Sequence, residues 1–83
     1  MNNKEIKNKV LNIIFRISKI SLDELEDNLK QDKLWDSMNH VEIILAIEEE
    51  FNICFDQDDL AQMMNAEKMI EYIETNLSKA NDT

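Results

Sequence analysis

The fold is decided by the stretch DSMNHVEIILAIEEEF, which occupies residues 36–51. It predicts a helix, because its body is rich in Ile, Leu, Ala and Glu and contains no helix breaker. Asp36 and Ser37 both suit a helix start, where a side-chain oxygen accepts hydrogen bonds from open backbone N–H groups. Asn52, which follows Phe51, tolerates the left-handed conformation that ends helices, so the helix is expected to stop there.

Two apolar strips run along this helix when successive residues are placed about 100° apart. The wider strip predicts the core face and contains His40, Ile43, Ile44, Ile47 and Phe51. The narrower strip, bordered by glutamates, contains Met38, Val41 and Leu45. A helix in a small domain needs only one apolar strip for packing. The second strip is therefore either peripheral core or a docking surface for a partner.

The remaining chain predicts further helices around this one. Apolar residues at helical spacing indicate a first helix over residues 4–18 and a last helix over residues 66–78, capped by Asn65. A brief helix is predicted over residues 57–64. A capping-box pattern that starts at Ser21 indicates a short helical turn within the long connection before the central helix. The fold class is all-α: a small four-helix bundle with three longer helices, one short helix and a long first loop.

Length and charge restrict the classes of function. The 83 residues are expected to form one domain, 1–83, with an ordered core over about residues 4–78. Eighteen acidic against nine basic side chains give a net charge of −9. Residues 36–59 contain acidic residues but no Lys or Arg. We therefore expect no nucleic acid partner, and favour partners that present Lys and Arg.

Several other classes are disfavoured by what the sequence lacks. Gly is absent, which excludes a Gly-rich phosphate loop, and the acidic cluster after the central helix lacks the Gly of a calcium-binding loop. We expect no metal site. Cys54 is the single cysteine, read as a small half-buried residue or a reactive thiol, and it fits a reducing compartment. No segment reads as a membrane span or a secretory signal, so we expect a cytoplasmic monomer without a membrane partner.

Three side chains at the helix start raise the question of catalysis. Ser37 and His40 stand three residues apart and can meet on a helix, with Asp36 adjacent. A catalytic triad also requires an orienting acid, an oxyanion hole and a substrate cleft, of which the sequence gives no sign. We therefore expect no catalytic residue, and interpret His40 as a partly buried packing residue. Trp35 is interpreted either as a packing cap or as a partner contact.

Asp36-Ser37-Met38 is followed by a Val-Glu pair, an aliphatic run, three glutamates, Phe51 and Ile53. This pattern resembles the acyl carrier proteins and their peptidyl-carrier relatives, over roughly residues 4–78. In that family the serine of an Asp-Ser-Leu motif carries a 4′-phosphopantetheine arm. The resemblance therefore implies an acyl-carrier-type bundle with Ser37 as the attachment site. Lys33 stands where the polyketide, peptidyl and D-alanyl carriers usually have Gly.

The resemblance also implies the cofactor and the partners. A phosphopantetheinyl transferase with Mg²⁺ would move the arm from coenzyme A onto Ser37, and the thiol of the arm would hold acyl or aminoacyl groups as thioesters. Loading and downstream biosynthetic enzymes with basic patches would dock on Asp36, Met38, Val41, Glu42, Leu45, Glu48 and Glu49. Asn39 stands where many fatty-acid carriers have Asp. The alternative function is an unmodified acidic adaptor that binds a basic protein through the same helix.

Overall fold

The computed structural model describes residues 2–81, and the side chains of residues 2–77. Its helices are α1 (Asn3–Ser18), α2 (Leu22–Asp27), α3 (Ser37–Phe51), α4 (Gln57–Gln62) and α5 (Ala66–Asn81). No strand occurs in this described range. The prediction of an all-α bundle with three longer helices is confirmed. The turn expected within the long first connection is a second short helix, α2.

Side-chain caps explain where the helices begin. Asp36 Oδ1 accepts a hydrogen bond from the Asn39 N–H at 2.8 Å, so Asp36 caps α3 and Ser37 becomes its first helical residue. Asp56 and Asp59 form a reciprocal capping box at the start of α4. Such caps satisfy backbone N–H groups that have no partner within the helix. The Ser37 hydroxyl is therefore not required for the start of α3.

The helix ends agree with the sequence at α3 and differ from it at α4 and α5. Asn52 ends α3 in the left-handed conformation, with φ 55° and ψ 49°, as predicted. Helix α4 ends at Gln62, before the predicted Met64, because Met63 leaves the helical conformation with φ −95° and ψ 60°. Helix α5 continues past the predicted residue 78 to Asn81, and residues 82–83 lie outside the described residues.

The core is built mainly from α1, α3 and α5. Helix α1 packs against α2, α3 and α5, and the wide strip of α3 buries Ile43, Ile44, Ile47 and Phe51, as predicted. The long first connection is packed as well, because Leu25 is fully buried and Leu29 and Leu34 contact the core. Cys54 is exposed, so the expectation of a half-buried residue is wrong. It lies in the connection after α3, which runs along the surface there.

Asn65 joins the first connection to α5. Its Oδ1 accepts a hydrogen bond from the Lys68 N–H at 2.8 Å, which is the predicted cap. Its amide nitrogen donates to Asp32 Oδ1 at 2.8 Å and to the Lys30 carbonyl at 3.3 Å. The residue is buried, with 6% of its surface exposed. A residue predicted only as a helix cap therefore also fixes the loop that precedes α3.

Candidate functional site

Ser37 lies in the first turn of α3 with an exposed side chain. The turn is closed by the His40 N–H, which donates to the Asp36 carbonyl at 2.9 Å. Another exposed serine at a helix start, Ser21, uses its Oγ to accept a hydrogen bond from the Glu24 N–H at 3.2 Å. Within the described residues, no corresponding bond engages the Ser37 hydroxyl, because Asp36 is the cap. Ser37 thus presents its hydroxyl to solvent from a fixed position.

A cavity of about 420 Å³ opens beside Ser37. Its lining residues come from the loop before α3, the first turn of α3 and the α4–α5 connection, and they are Lys33, Trp35, Asp36, Ser37, His40 and Met64. This volume lies within the range of small-molecule sites in proteins, about 300–1,000 Å³. The serine is therefore placed at the rim of a space that a small group can enter.

Two hydrogen bonds fix the walls of this cavity. Trp35 Nε1–H donates to His40 Nδ1 at 3.0 Å, and the two rings stack with an interplanar angle of 16°. Two other lining residues are joined by the Lys33 N–H, which donates to the Met64 carbonyl at 3.2 Å. Trp35 is 7% exposed, so the structure favours its packing interpretation over a partner contact. The cavity is consequently formed before any group is attached.

The bond from Trp35 also fixes the protonation state of His40. Because Nδ1 accepts a hydrogen bond, the proton of the neutral ring is on Nε2. Nε2 is buried and has no hydrogen-bond partner among the described residues. Burial lowers the pKa of His40 below its ordinary value of 6.5. Neither ring nitrogen is bonded to Ser37, so the serine–histidine contact that a nucleophilic triad requires is not formed.

The narrow apolar strip of α3 is exposed rather than packed. Met38 is 76% exposed, and Val41 and Leu45 are each 58% exposed. The interpretation as peripheral core is therefore wrong for this strip. Glu42 and Glu49 are also exposed, and they border the strip on α3. We refer to these five residues as the docking strip. Its apolar side chains lie uncovered on a helix surface that carries only negative charge.

Glu48 differs from the other acids predicted for docking. Its Oε2 accepts a hydrogen bond from the Phe55 N–H at 2.8 Å, and its side chain is half-buried. It therefore holds the connection between α3 and α4. Beside it, Val41, Leu45 and Phe55 contribute to a smaller cavity of about 170 Å³. This bond joins residues seven positions apart and could not be predicted from the spacing of apolar residues.

Two of the three acids that follow α3 are engaged in local structure. Asp56 and Asp59 cap α4, and the Tyr72 hydroxyl donates to Asp59. This bond lowers the pKa of Asp59 and raises the pKa of Tyr72. In the part of the chain that the structure describes, no three His, Cys, Asp or Glu side chains are grouped to hold a metal ion. Over the same range, no helix has both the length and the apolar character needed to cross a bilayer.

Fold and site together define a small all-helical domain that presents an exposed serine at a helix tip, between a cavity and an acidic, apolar strip. The chain is 36% identical over 75 residues to an acyl carrier protein of Buchnera aphidicola subsp. Schizaphis graminum, covering 88% of this chain and 92% of that protein. It is 33% identical over 72 residues to an acyl carrier protein of Cyanidium caldarium, covering 84% of each. No family model matches the chain.

A third relative is also an acyl carrier protein. The acyl carrier protein of Nitratidesulfovibrio vulgaris is 36% identical over 67 residues, which cover 70% of this chain and 88% of that protein. The chain therefore belongs to the acyl carrier protein family. Members of this family are carriers rather than enzymes, and the chain is accordingly a carrier.

Proposed function

We propose that the chain carries acyl groups as thioesters on a 4′-phosphopantetheine arm attached to Ser37. The observation that carries the proposal is the exposure of Ser37 in the first turn of α3, with its hydroxyl outside the cap. Membership of the family supports the acyl carrier role. Aminoacyl groups are the alternative cargo. When attached, the arm supplies a thiol that forms the thioester with the cargo.

The surroundings of Ser37 fit a group linked through a phosphodiester. An anion at the Ser37 Oγ lies beside the open N–H groups at the positive end of α3, which favours it by about 0.3–1 kcal/mol. The residues that line the adjoining cavity include one cationic residue, Lys33, and one acidic residue, Asp36. The exposure of Ser37 leaves room for a second protein to approach the hydroxyl. These features are supplied by the chain itself, before attachment.

Attachment requires this chain to present a nucleophile but not to activate it. Ser37 Oγ forms a bond to the pantetheine-linked phosphorus of coenzyme A, and the broken P–O bond releases 3′,5′-ADP. The proton of the hydroxyl passes to a base of the phosphopantetheinyl transferase, which also holds Mg²⁺ on the diphosphate. His40 is not available as this base, because its Nδ1 accepts the bond from Trp35 and its Nε2 is buried.

We propose that partner enzymes dock on the docking strip. An apolar centre with charged residues at its border is typical of protein interfaces, and complementary charge speeds association and selects partners. The partners are the phosphopantetheinyl transferase and the loading and downstream biosynthetic enzymes, all presenting basic patches. Asp36 adds an exposed acid next to the attachment site. Glu48 belongs to the same surface, but its bond to Phe55 gives it a structural role as well.

We further propose that residues 1–83 act as one carrier domain, as a monomer in the cytoplasm. Carriers with this type of site serve fatty acid, polyketide, nonribosomal peptide and cell-envelope chemistry. What is common to all four is an exposed serine and a surface for partner enzymes. Both features lie on α3, so substitutions on that helix are expected to alter the choice of partner.

Incubation with coenzyme A, Mg²⁺ and a broad-range phosphopantetheinyl transferase tests the attachment. The intact mass is expected to rise by one phosphopantetheine group, and Ser37→Ala is expected to show no gain. Ser21→Ala is the matched control, because Ser21 is also an exposed serine at a helix start, and it should gain mass like the wild type. An unmodified wild-type chain would instead favour the acidic adaptor that binds a basic protein through α3.

A further inference from the structure

We propose that His40 is a positioning residue for the attachment at Ser37, because its neutral ring holds Trp35 against the first turn of α3. Protonation of His40 breaks this contact. The inference rests on the proposed attachment and adds a condition that the chain itself sets on its modification. It is carried by the direction of the hydrogen bond between the two rings and by the place of Ser37 between them in the chain. We refer to Trp35 and His40 as the ring pair.

His40 makes two hydrogen bonds to residues on the other side of Ser37. Its main-chain N–H donates to the Asp36 carbonyl at 2.9 Å, and its Nδ1 accepts from the Trp35 indole at 3.0 Å. The Asn39 N–H also donates to Asp36 Oδ1 at 2.8 Å. Residues 35 and 36 are thus joined to residues 39 and 40, and Ser37 lies on the short segment between them. Of these three bonds, only the one between the rings depends on an imidazole, which titrates near neutral pH.

The ring pair connects the exposed serine to the core. The Trp35 side chain belongs to the buried cluster, whereas Asp36 and Ser37, the next two residues, are exposed. Its indole stacks on the imidazole of His40, with ring centroids 6.2 Å apart. The position of the indole therefore sets the direction in which the chain enters α3. A fixed entry holds the Ser37 hydroxyl in place, and such preset geometry lowers the entropy lost when a reacting group is brought into position.

The bond within the ring pair excludes a proton on Nδ1. An indole N–H can only donate a hydrogen bond, so Nδ1 of His40 must be the acceptor. A protonated imidazole carries hydrogen on both nitrogens, and two N–H groups would then face each other across 3.0 Å. The other nitrogen, Nε2, is buried and has no partner among the described residues that would stabilise the positive charge. Protonation therefore removes the bond to Trp35 and gains no bond in return.

The charged groups that face His40 leave it neutral at pH 7. His40 lines both the cavity beside Ser37 and the smaller cavity beside Val41. Three charged residues line these cavities with it, namely Lys33, Asp36 and Glu48. The lining residues from the chain after α3 are uncharged: Phe55, Leu60 and Met64. Within the described residues, neither acid forms an ion pair with His40. Burial lowers the pKa of His40 below 6.5, so the folded chain takes up this proton only below that pH.

A pH titration of the unmodified chain by nuclear magnetic resonance tests the ring pair. The chain has one tryptophan and one histidine, so each ring gives its own unambiguous signals. The Trp35 indole N–H and the His40 ring hydrogens are followed from about pH 8 to about pH 5, with circular dichroism verifying the helices. Both signals are expected to change with one shared midpoint below 6.5. An indole signal that stays constant through the His40 titration overturns the inference.

Removal of the indole donor tests the same bond from the other side. Trp35→Phe keeps an aromatic ring beside the imidazole but has no N–H group. The midpoint of the His40 titration is expected to rise by at least about 0.5 pH units, because the neutral form loses its hydrogen bond. Tyr72→Phe is the matched control, since it also removes a donor from a half-buried aromatic ring and should leave the midpoint unchanged. Equal midpoints in Trp35→Phe and the wild type overturn the inference.

A matched pair of variants tests the positioning of Ser37. His40→Asn carries an amide oxygen on Cγ, where histidine carries Nδ1, so it can accept from Trp35 but does not titrate. His40→Leu has a similar size and no acceptor. Both are treated with coenzyme A, Mg²⁺ and the phosphopantetheinyl transferase, and the mass gain is followed in time. At about pH 7.5, kcat/KM is expected to be at least about threefold lower for His40→Leu than for His40→Asn.

The pH dependence of the modification separates positioning from a purely structural role. Rates are measured at about pH 7.5 and at one unit below the midpoint of the His40 titration, where about nine-tenths of His40 is protonated. The ratio of the wild-type rate to the His40→Asn rate cancels the titrations of the transferase. Because only the wild type loses its ring contact, this ratio is expected to fall at least about threefold at the lower pH.

The outcomes distinguish this inference from the proposed function. Mass gain with equal rates in His40→Asn and His40→Leu overturns the positioning role and leaves the attachment intact. Mass gain with a rate ratio that does not change with pH does the same. Failure of the wild-type chain to gain mass at about pH 7.5 overturns the attachment and the positioning role together.

Discussion

Replacement of Asn65 by alanine tests how the loop before α3 is held. Asn65 makes three hydrogen bonds from a buried position: a cap on α5 and two bonds to the loop at Asp32 and Lys30. Asn65→Ala removes all three while leaving the backbone of α5 in place. The loop that carries Lys33 and Trp35 then loses its side-chain anchor, and the start of α5 loses its cap.

The magnitude follows from the bonds that are lost. A helix cap is worth about 0.5–2 kcal/mol, and each further hydrogen bond contributes about 0.5–1.5 kcal/mol. Water can replace part of the bonding at Asp32 and Lys30, because both residues are exposed. We therefore expect a loss of about 2–3 kcal/mol, against a total stability of roughly 4–12 kcal/mol for a chain of this length. The melting temperature should fall by about 10–20 °C.

Urea and thermal unfolding followed by far-ultraviolet circular dichroism measure this loss. Asn2→Ala is the matched control, because exposed Asn2 caps α1 through a single hydrogen bond from the Glu5 N–H at 2.8 Å. It is expected to cost about 0.5–1 kcal/mol. Asn65→Ser keeps a capping oxygen but removes the amide donors, and its loss should be intermediate. If Asn65→Ala is no more destabilising than Asn2→Ala, the anchoring of the loop by Asn65 is refuted.

Three further predictions concern pH, docking and charge. Burial lowers the pKa of His40 in the folded state. As pH falls below about 6.5, His40 therefore binds a proton in the unfolded chain before it does so in the folded chain, and the free energy of unfolding decreases by up to about 1.4 kcal/mol per pH unit. For His40→Gln, the free energy of unfolding measured in urea should depend less on pH than it does for the wild type, above the pH range in which carboxylates titrate. An equal pH dependence in the two proteins would contradict His40 as its source. Glu42→Lys with Glu49→Lys should raise the Kd for the phosphopantetheinyl transferase about five- to thirtyfold, or about 1–2 kcal/mol. Glu71→Lys with Glu74→Lys, on α5, should leave that Kd unchanged, and equal losses in both pairs would exclude a specific docking strip. Added salt or millimolar divalent cation should raise the melting temperature by screening the net charge of −9, and no shift would show that repulsion is unimportant.

The helices of the chain could be predicted because their signals are local. The spacing of apolar residues in α3 identified its buried face, and four of the five residues assigned to that face are buried. Asp36, Asn52 and Asp56 mark helix ends through their own backbone and side-chain bonding, so neighbouring residues suffice to recognise them. Ser37 was accordingly located at a helix tip from the sequence alone.

The walls of the cavity could not be predicted, because they join distant parts of the chain. Lys33 is bonded to Met64, and Asn65 to Lys30, and no sequence pattern connects residues more than thirty positions apart. Periodicity also could not decide whether Met38 and its neighbours on the narrow strip were core or surface. That outcome depends on tertiary packing, and the structure leaves the strip exposed. The hydrogen bond from the Phe55 N–H to Glu48 was missed because it depends on the path of the connection after α3, which apolar periodicity does not specify.

A peptide map of the chain after modification tests the central claim most directly. Trypsin cleaves after Lys33 and Lys68 and releases residues 34–68, in which Ser37 is the only side chain with a hydroxyl group. We predict that one phosphopantetheine group is recovered on this peptide, with fragment ions that assign it to Ser37 and not to Cys54. Recovery of the group on any other residue, or of an unmodified peptide after complete treatment, would contradict the account.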